Sequence, residues 1–281
     1  MAVRANGAQR ASMHRSRRLT MFALIAALAV SLGAMAVPQA TRAASIKVVV
    51  VVGPAGYSTA DYRNSARTYA AVARGYGAAV TEIYSPYATW SKVRSALQGA
   101  NLLIYLGHGN GWPSPYGPFQ RYTKDGLGLN ATSGNGNYNV KYYGEYYIDN
   151  YIQMAPNAVV ILNRLCYASG NSEWGSADPT KSTAIKRVDN YGAGFLRAGA
   201  KALFAEAINS VSYQIRMLFT SNMNMNNILM THPSASSARD FYFTSTRTTW
   251  ARAHMDPPRA GKYWRSVIGV LGMTASQWRG G

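Results

Sequence analysis

Hydrophobic and polar positions alternate along this chain in a repeating order. Ile46–Val52 is a β-branched run with Lys47 its one exception, the signature of a strand covered on both faces. Gly53-Pro54-Ala55-Gly56 turns the chain. From Thr59, Tyr62, Ala66, Tyr69, Ala70 and Ala73 fall on one face of a helix that Gly75 and Gly77 end. Ala79–Tyr84 alternates as a second strand. A second helix starts at Thr89, with Trp90, Val93, Leu97 and Ala100 on one side, and Asn101–Leu106 is a third strand closing in Gly107-His108-Gly109. Such alternation predicts an α/β domain whose parallel sheet is flanked by helices on both faces.

The rhythm stops over residues 110–147, which are rich in Gly, Asn, Tyr and Pro. A long aperiodic stretch inside a compact domain is a functional surface or a disordered one. Its aromatic content favours an ordered surface with a short hairpin. Beyond it the pattern predicts a short helix around Ile148–Met154, a fourth strand over Ala158–Asn163 leading to Cys166, a helix over Val188–Ala198 and a fifth strand over Lys201–Ala207. A helical stretch over Val211–Met230 follows. Residues 233–281, with Trp250, Trp264 and Trp278, read as a small C-terminal helical extension packed on a main domain spanning 44–232.

Composition narrows the class. Hydrophobic residues make up 48% and charged residues 14% of the 281, which excludes a disordered chain. Residues 1–43 combine arginines, an apolar stretch over Met21–Val37 and small residues that fit a cleavage site. This is the pattern of a signal peptide, so a secreted or envelope-associated protein is expected. The 29 Lys and Arg outnumber the 11 Asp and Glu, giving a net charge of +18. The excess is dispersed, which argues against nucleic acid and suits an anionic cell-surface polymer as a partner.

Two chemically capable residues stand just after predicted strands, where open α/β sheets bind their ligands. His108 follows the third strand and Cys166, the only cysteine, follows the fourth. A thiol needs a neighbouring base to act as a nucleophile at neutral pH, and an imidazole supplies one. The amides of Gly109 and Cys166 are available for an oxyanion. Competing chemistries lack their residues: Gly53–Thr59 has no phosphate-loop lysine, no Gly-x-Ser-x-Gly elbow occurs, and the acids form no metal-like cluster. Glu206, on the fifth strand, is read as the partner of a lysine or arginine. His232 and His254 are read as capping or surface residues.

The paired segments Leu102-Leu103-Ile104-Tyr105-Leu106-Gly107-His108-Gly109 and Val159-Val160-Ile161-Leu162-Asn163-Arg164-Leu165-Cys166 resemble the caspase-like, or clan CD, cysteine peptidases, among them gingipain, clostripain, legumain and caspase. The likeness spans about residues 46–208 and includes Ala198-Gly199-Ala200 before the fifth strand. It implies a caspase-like fold and a peptidase needing no cofactor, with a protein or peptide as substrate, His108 as general base, Cys166 as nucleophile and Gly109 beside the oxyanion. Arg164-Leu165-Cys166-Tyr167-Ala168 stands where caspases carry Gln-Ala-Cys-x-Gly, so their aspartate specificity does not follow. Two other readings remain open. One is a non-catalytic binding module that grips wall polymer through the Tyr-rich stretch 138–151; the other is an acyl transferase of the same fold.

Overall fold

The computed structural model describes residues 45–208 and 211–280; the expected signal peptide lies outside them. Ser45–Gly281 is one compact unit. Its strands are β1 (Lys47–Val52), β2 (Ala79–Tyr84), β3 (Leu102–Leu106), β4 (Leu127–Asn130), β5 (Val140–Tyr143), β6 (Ala158–Asn163), β7 (Ala200–Glu206), β8 (Phe241–Thr244), β9 (Arg252–Met255) and β10 (Arg265–Gly269). Its helices are α1 (Thr59–Gly75), α2 (Trp90–Leu97), α3 (Glu145–Tyr151), α4 (Lys181–Arg197), α5 (Val211–Thr220), α6 (Met225–Met230) and α7 (Ala275–Trp278).

Eight strands form one sheet in the order β2-β1-β3-β6-β7-β10-β9-β8. The first five run parallel, and β10, β9 and β8 add on antiparallel. The valines of β1 explain why the sheet needs cover on both sides. Val49 and Val51 enter a core completed by α2, α3 and α4; Val48, Val50 and Val52 enter one completed by α1, α5, α6 and α7. This is the α/β class expected from the alternating pattern, with helices on both faces.

The C-terminal segment departs from expectation. It is read as helical from its tryptophans, yet β8, β9 and β10 continue the main sheet and, among the described residues, α7 is its one helix. The strands are short and interrupted by Arg252, His254 and Arg265, so they show no clean period. Arg265 nevertheless lies buried because Glu206 Oε2 (3.0 Å) and Asp256 Oδ2 (2.9 Å) accept its hydrogens. Glu206 therefore does pair with an arginine.

Three smaller differences have local causes. The helix expected at Ile148–Met154 begins earlier, at Glu145. The helix expected from Val188 starts at Lys181, where Thr180 accepts the Thr183 amide hydrogen. The stretch Val211–Met230 breaks into α5 and α6, the second capped by Asn224. His254 is not at the surface: it is buried between Asn226 Oδ1 (2.7 Å) and Asp240 Oδ2 (2.9 Å). His232 is also buried; it accepts the Ser234 amide hydrogen, and its pKa falls to about 4 through desolvation and nearby Arg265.

Candidate active site

Register brings the two expected residues to one edge. Leu106 of β3 lies beside Asn163 of β6, so Gly107-His108 and Arg164-Leu165-Cys166 leave neighbouring parallel strands at the same end. His108, Gly109 and Cys166 line one cleft of about 430 Å³, with Asn110, Tyr116, Lys124, Tyr142 and Glu173 among its other walls. A larger groove of about 700 Å³, bordered by Arg94, Tyr151, Arg197 and Lys201, has neither cysteine nor histidine in its lining.

The backbone is bent to present the thiol. Arg164 (φ 60°) and Tyr167 (φ 72°) occupy the left-handed region on either side of Leu165 and Cys166, a conformation that non-glycine residues adopt at a cost. Interactions from the strand ends hold the bend. The Arg164 amide donates to Glu206 O at 2.7 Å, and the Asn163 side chain donates to the carbonyls of Glu206 (3.0 Å) and Ile208 (2.8 Å). Tyr69 Oη donates to Asn163 Oδ1 at 3.2 Å.

Gly109 approaches this bend more closely than any side chain would allow. A Cβ there would lie 2.1 Å from Cys166 O and 2.9 Å from both Cys166 N and Tyr191 Oη. The fully buried Tyr105 fixes the same loop: its phenol lies 2.7 Å from Gly128 O and 3.3 Å from His108 O, and it accepts the Gly128 amide hydrogen at 3.0 Å. Tyr191 Oη accepts the Asn110 amide hydrogen at 2.9 Å. Buried Arg187 ties the cleft's two loops together. Its Nε donates to Pro113 O (2.7 Å) and its terminal nitrogen to Asn171 O (3.1 Å).

The electrostatics favour a neutral pair at rest. Burial pushes the Cys166 thiol up, and the negative charge of Glu173 adds to this; hydrogen bonds from the Cys166 and Gly109 amides pull the other way. Desolvation lowers the His108 pKa, with Glu173 opposing. At neutral pH these shifts favour a thiol at Cys166 and a neutral imidazole at His108.

Glu173, Tyr116 and Lys124 carry no sequence signal of their own, since they lie in aperiodic loops. Tyr116 Oη donates to Glu173 Oε1 at 2.5 Å across the cleft. The Tyr-rich stretch divides among three places, with Tyr138 edge-on against Tyr57. Tyr142 faces the cleft, whereas Tyr143, Tyr146, Tyr147 and Tyr151 pack on one another in a cluster that includes Trp90 and Tyr122.

No family model and no curated protein matches this chain. Among solved structures it is similar to a secreted C11 cysteine protease from Bacteroides thetaiotaomicron, determined with an irreversible peptide inhibitor. There the identity is 8%, the TM-score 0.38, and the match covers 75% of this chain and 66% of that one. Separase from Saccharomyces cerevisiae, in complex with securin, shares 14% identity at a TM-score of 0.30. That match covers 62% of this chain but 9% of separase, so the chain spans only a small part of that protein. A protein from Geobacter sulfurreducens shares 13% identity at a TM-score of 0.30, over 67% of this chain and 90% of its own.

Proposed function

We propose that this chain is an exported cysteine peptidase. The observation that carries the reading is the convergence of His108, Gly109 and Cys166 on one cleft at the ends of adjacent parallel strands, with the Gly109 and Cys166 amides within hydrogen-bonding reach of the sulfur. As Cys166 Sγ attacks the peptide carbonyl carbon, its proton passes to His108. The two amides stabilise the oxyanion, and His108 then protonates the departing amine, leaving a thioester on Cys166. Water, giving a proton to His108, attacks the thioester and releases the carboxylic acid, and the thiol recovers its proton. A proton-transfer group placed in this way contributes roughly 10²–10⁴-fold to rate.

Cleavage of a diverse peptide library by the purified protein tests the reading. Loss of all cleavage in Cys166→Ala, and after alkylation of the wild-type thiol, is the expected result; full activity in Cys166→Ala would overturn it. Because neutral His108 is the base and burial lowers its pKa, kcat/KM should fall only as pH drops below the ordinary histidine value of 6.5. Export is tested by locating the mature protein and sequencing its N-terminus. An envelope location is compatible with the basic surface meeting anionic polymer.

A further inference from the structure

Lys124 is the most unusual charge in the cleft. It is only 3% exposed, and it lines the same cavity as His108 and Cys166. Its ammonium donates to Asn110 Oδ1 at 2.8 Å and to Ser114 Oγ at 3.1 Å, both neutral acceptors. Asn110 is pinned in this orientation because its own Nδ2 donates to Thr123 O at 2.9 Å. No carboxylate among the described residues forms an ion pair with Lys124. A lysine has three hydrogens to donate, and two are accounted for.

Two acids lie near Lys124 or line its cleft. Asp125 accepts the Trp112 amide hydrogen at 2.9 Å, and burial raises its carboxyl to about 8, so it is largely protonated at neutral pH. Glu173 takes the Tyr116 hydroxyl hydrogen, and its charge acts on Cys166 and His108. Desolvation lowers the Lys124 pKa and Asp125 opposes this only weakly while protonated, so the buried cation is costly and an incoming carboxylate would remove that cost.

We propose that the ammonium of Lys124 receives a carboxylate side chain of the substrate, so that the enzyme cuts peptides beside aspartate or glutamate. This rests on the peptidase reading and deepens it. Lys124 is then a specificity-determining residue, and the Asn110 and Ser114 oxygens position its charge.

Matched peptides differing only in Glu, Gln or Lys at each position flanking the cut bond test it through kcat/KM. The wild-type enzyme should prefer Glu over Gln at one position by at least about tenfold, as for a desolvated charge pair. Lys124→Met should bring that ratio close to one, and Lys124→Glu should turn the preference towards Lys. Because the ratio is measured first in the unaltered enzyme, misfolding of a variant does not rescue the proposal. A wild-type ratio near one, or a preference for Lys, overturns the subsite and leaves the peptidase standing. No cleavage of any peptide, together with a Cys166 that resists alkylation, overturns both.

Discussion

The two halves of the sheet bury charge in opposite ways. At the junction with the antiparallel half, Arg265 is held by Glu206, Asp256 and the Leu229 carbonyl, and Asp256 also accepts amide hydrogens from Ser236 and Ser237. At the open end of the parallel half, Asp125 Oδ2 is buried without a hydrogen-bond partner among the described residues, the Lys124 hydrogen bonds shown go to neutral acceptors, and two left-handed residues flank the thiol segment. Topology accounts for the location. Parallel strands deliver all their carboxyl ends to one edge, so loops gather there into a cleft, whereas antiparallel strands alternate their ends. The paired half stabilises the fold, and the costly groups sit where the chemistry is proposed to occur.

The largest expected effect breaks the parallel side at its tightest contact. In Gly109→Ala the new methyl would overlap Cys166 O, forcing apart the two amides that reach the sulfur. Removing one oxyanion donor costs roughly 10²–10³-fold in kcat, and here both are displaced. Peptidase activity should therefore fall by at least about 10³-fold, while thermal unfolding shifts by only the roughly 1–3 kcal/mol of a local clash. If Gly109→Ala retained normal kcat, the close approach would have no catalytic role.

Arg265→Met probes the other half and should give the reverse result. It leaves Glu206 and Asp256 buried without their guanidinium, a change that typically costs about 3–5 kcal/mol. Urea unfolding should report a loss of that order, with kcat per folded molecule nearly unchanged. A variant that unfolds normally but loses activity would show that the two halves are not divided as described.

The same division governs what could be read from sequence. β1, β3, β6 and β7 were legible because burial on both faces demands mostly apolar residues, and His108 and Cys166 were legible because each stands within three residues of the end of such a run. The last three strands were not, since the burial of Arg265 depends on Glu206, far away in the chain. The cleft walls were hidden for a related reason. Lys124, Glu173 and Arg187 acquire their roles from contacts between residues 110–125, 166–173 and 187, and none of these leaves a periodic trace. Tyr105 looked like one more apolar position of β3, yet its phenol is what anchors the His108 loop to Gly128.

The smallest effect sharpens the comparison at Asp125. Burial raises its carboxyl from 3.8 to about 8, so the folded chain holds a proton that the unfolded chain releases near 3.8. Folding then takes up a proton, and Asp125 costs stability progressively as pH rises from 3.8 towards about 8, where the penalty levels off. Asparagine cannot ionise, keeps an oxygen for the Trp112 amide and tolerates the left-handed φ of 61° at this position. Asp125→Asn should therefore be stabilising by about 1–3 kcal/mol at about pH 8, with the gain shrinking towards zero near pH 4. Thermal unfolding of both proteins across that range would reveal the slope. A gain independent of pH would mean that the carboxyl is ionised in the fold, and the contrast with the paired carboxylates of Glu206 and Asp256 would lose its basis.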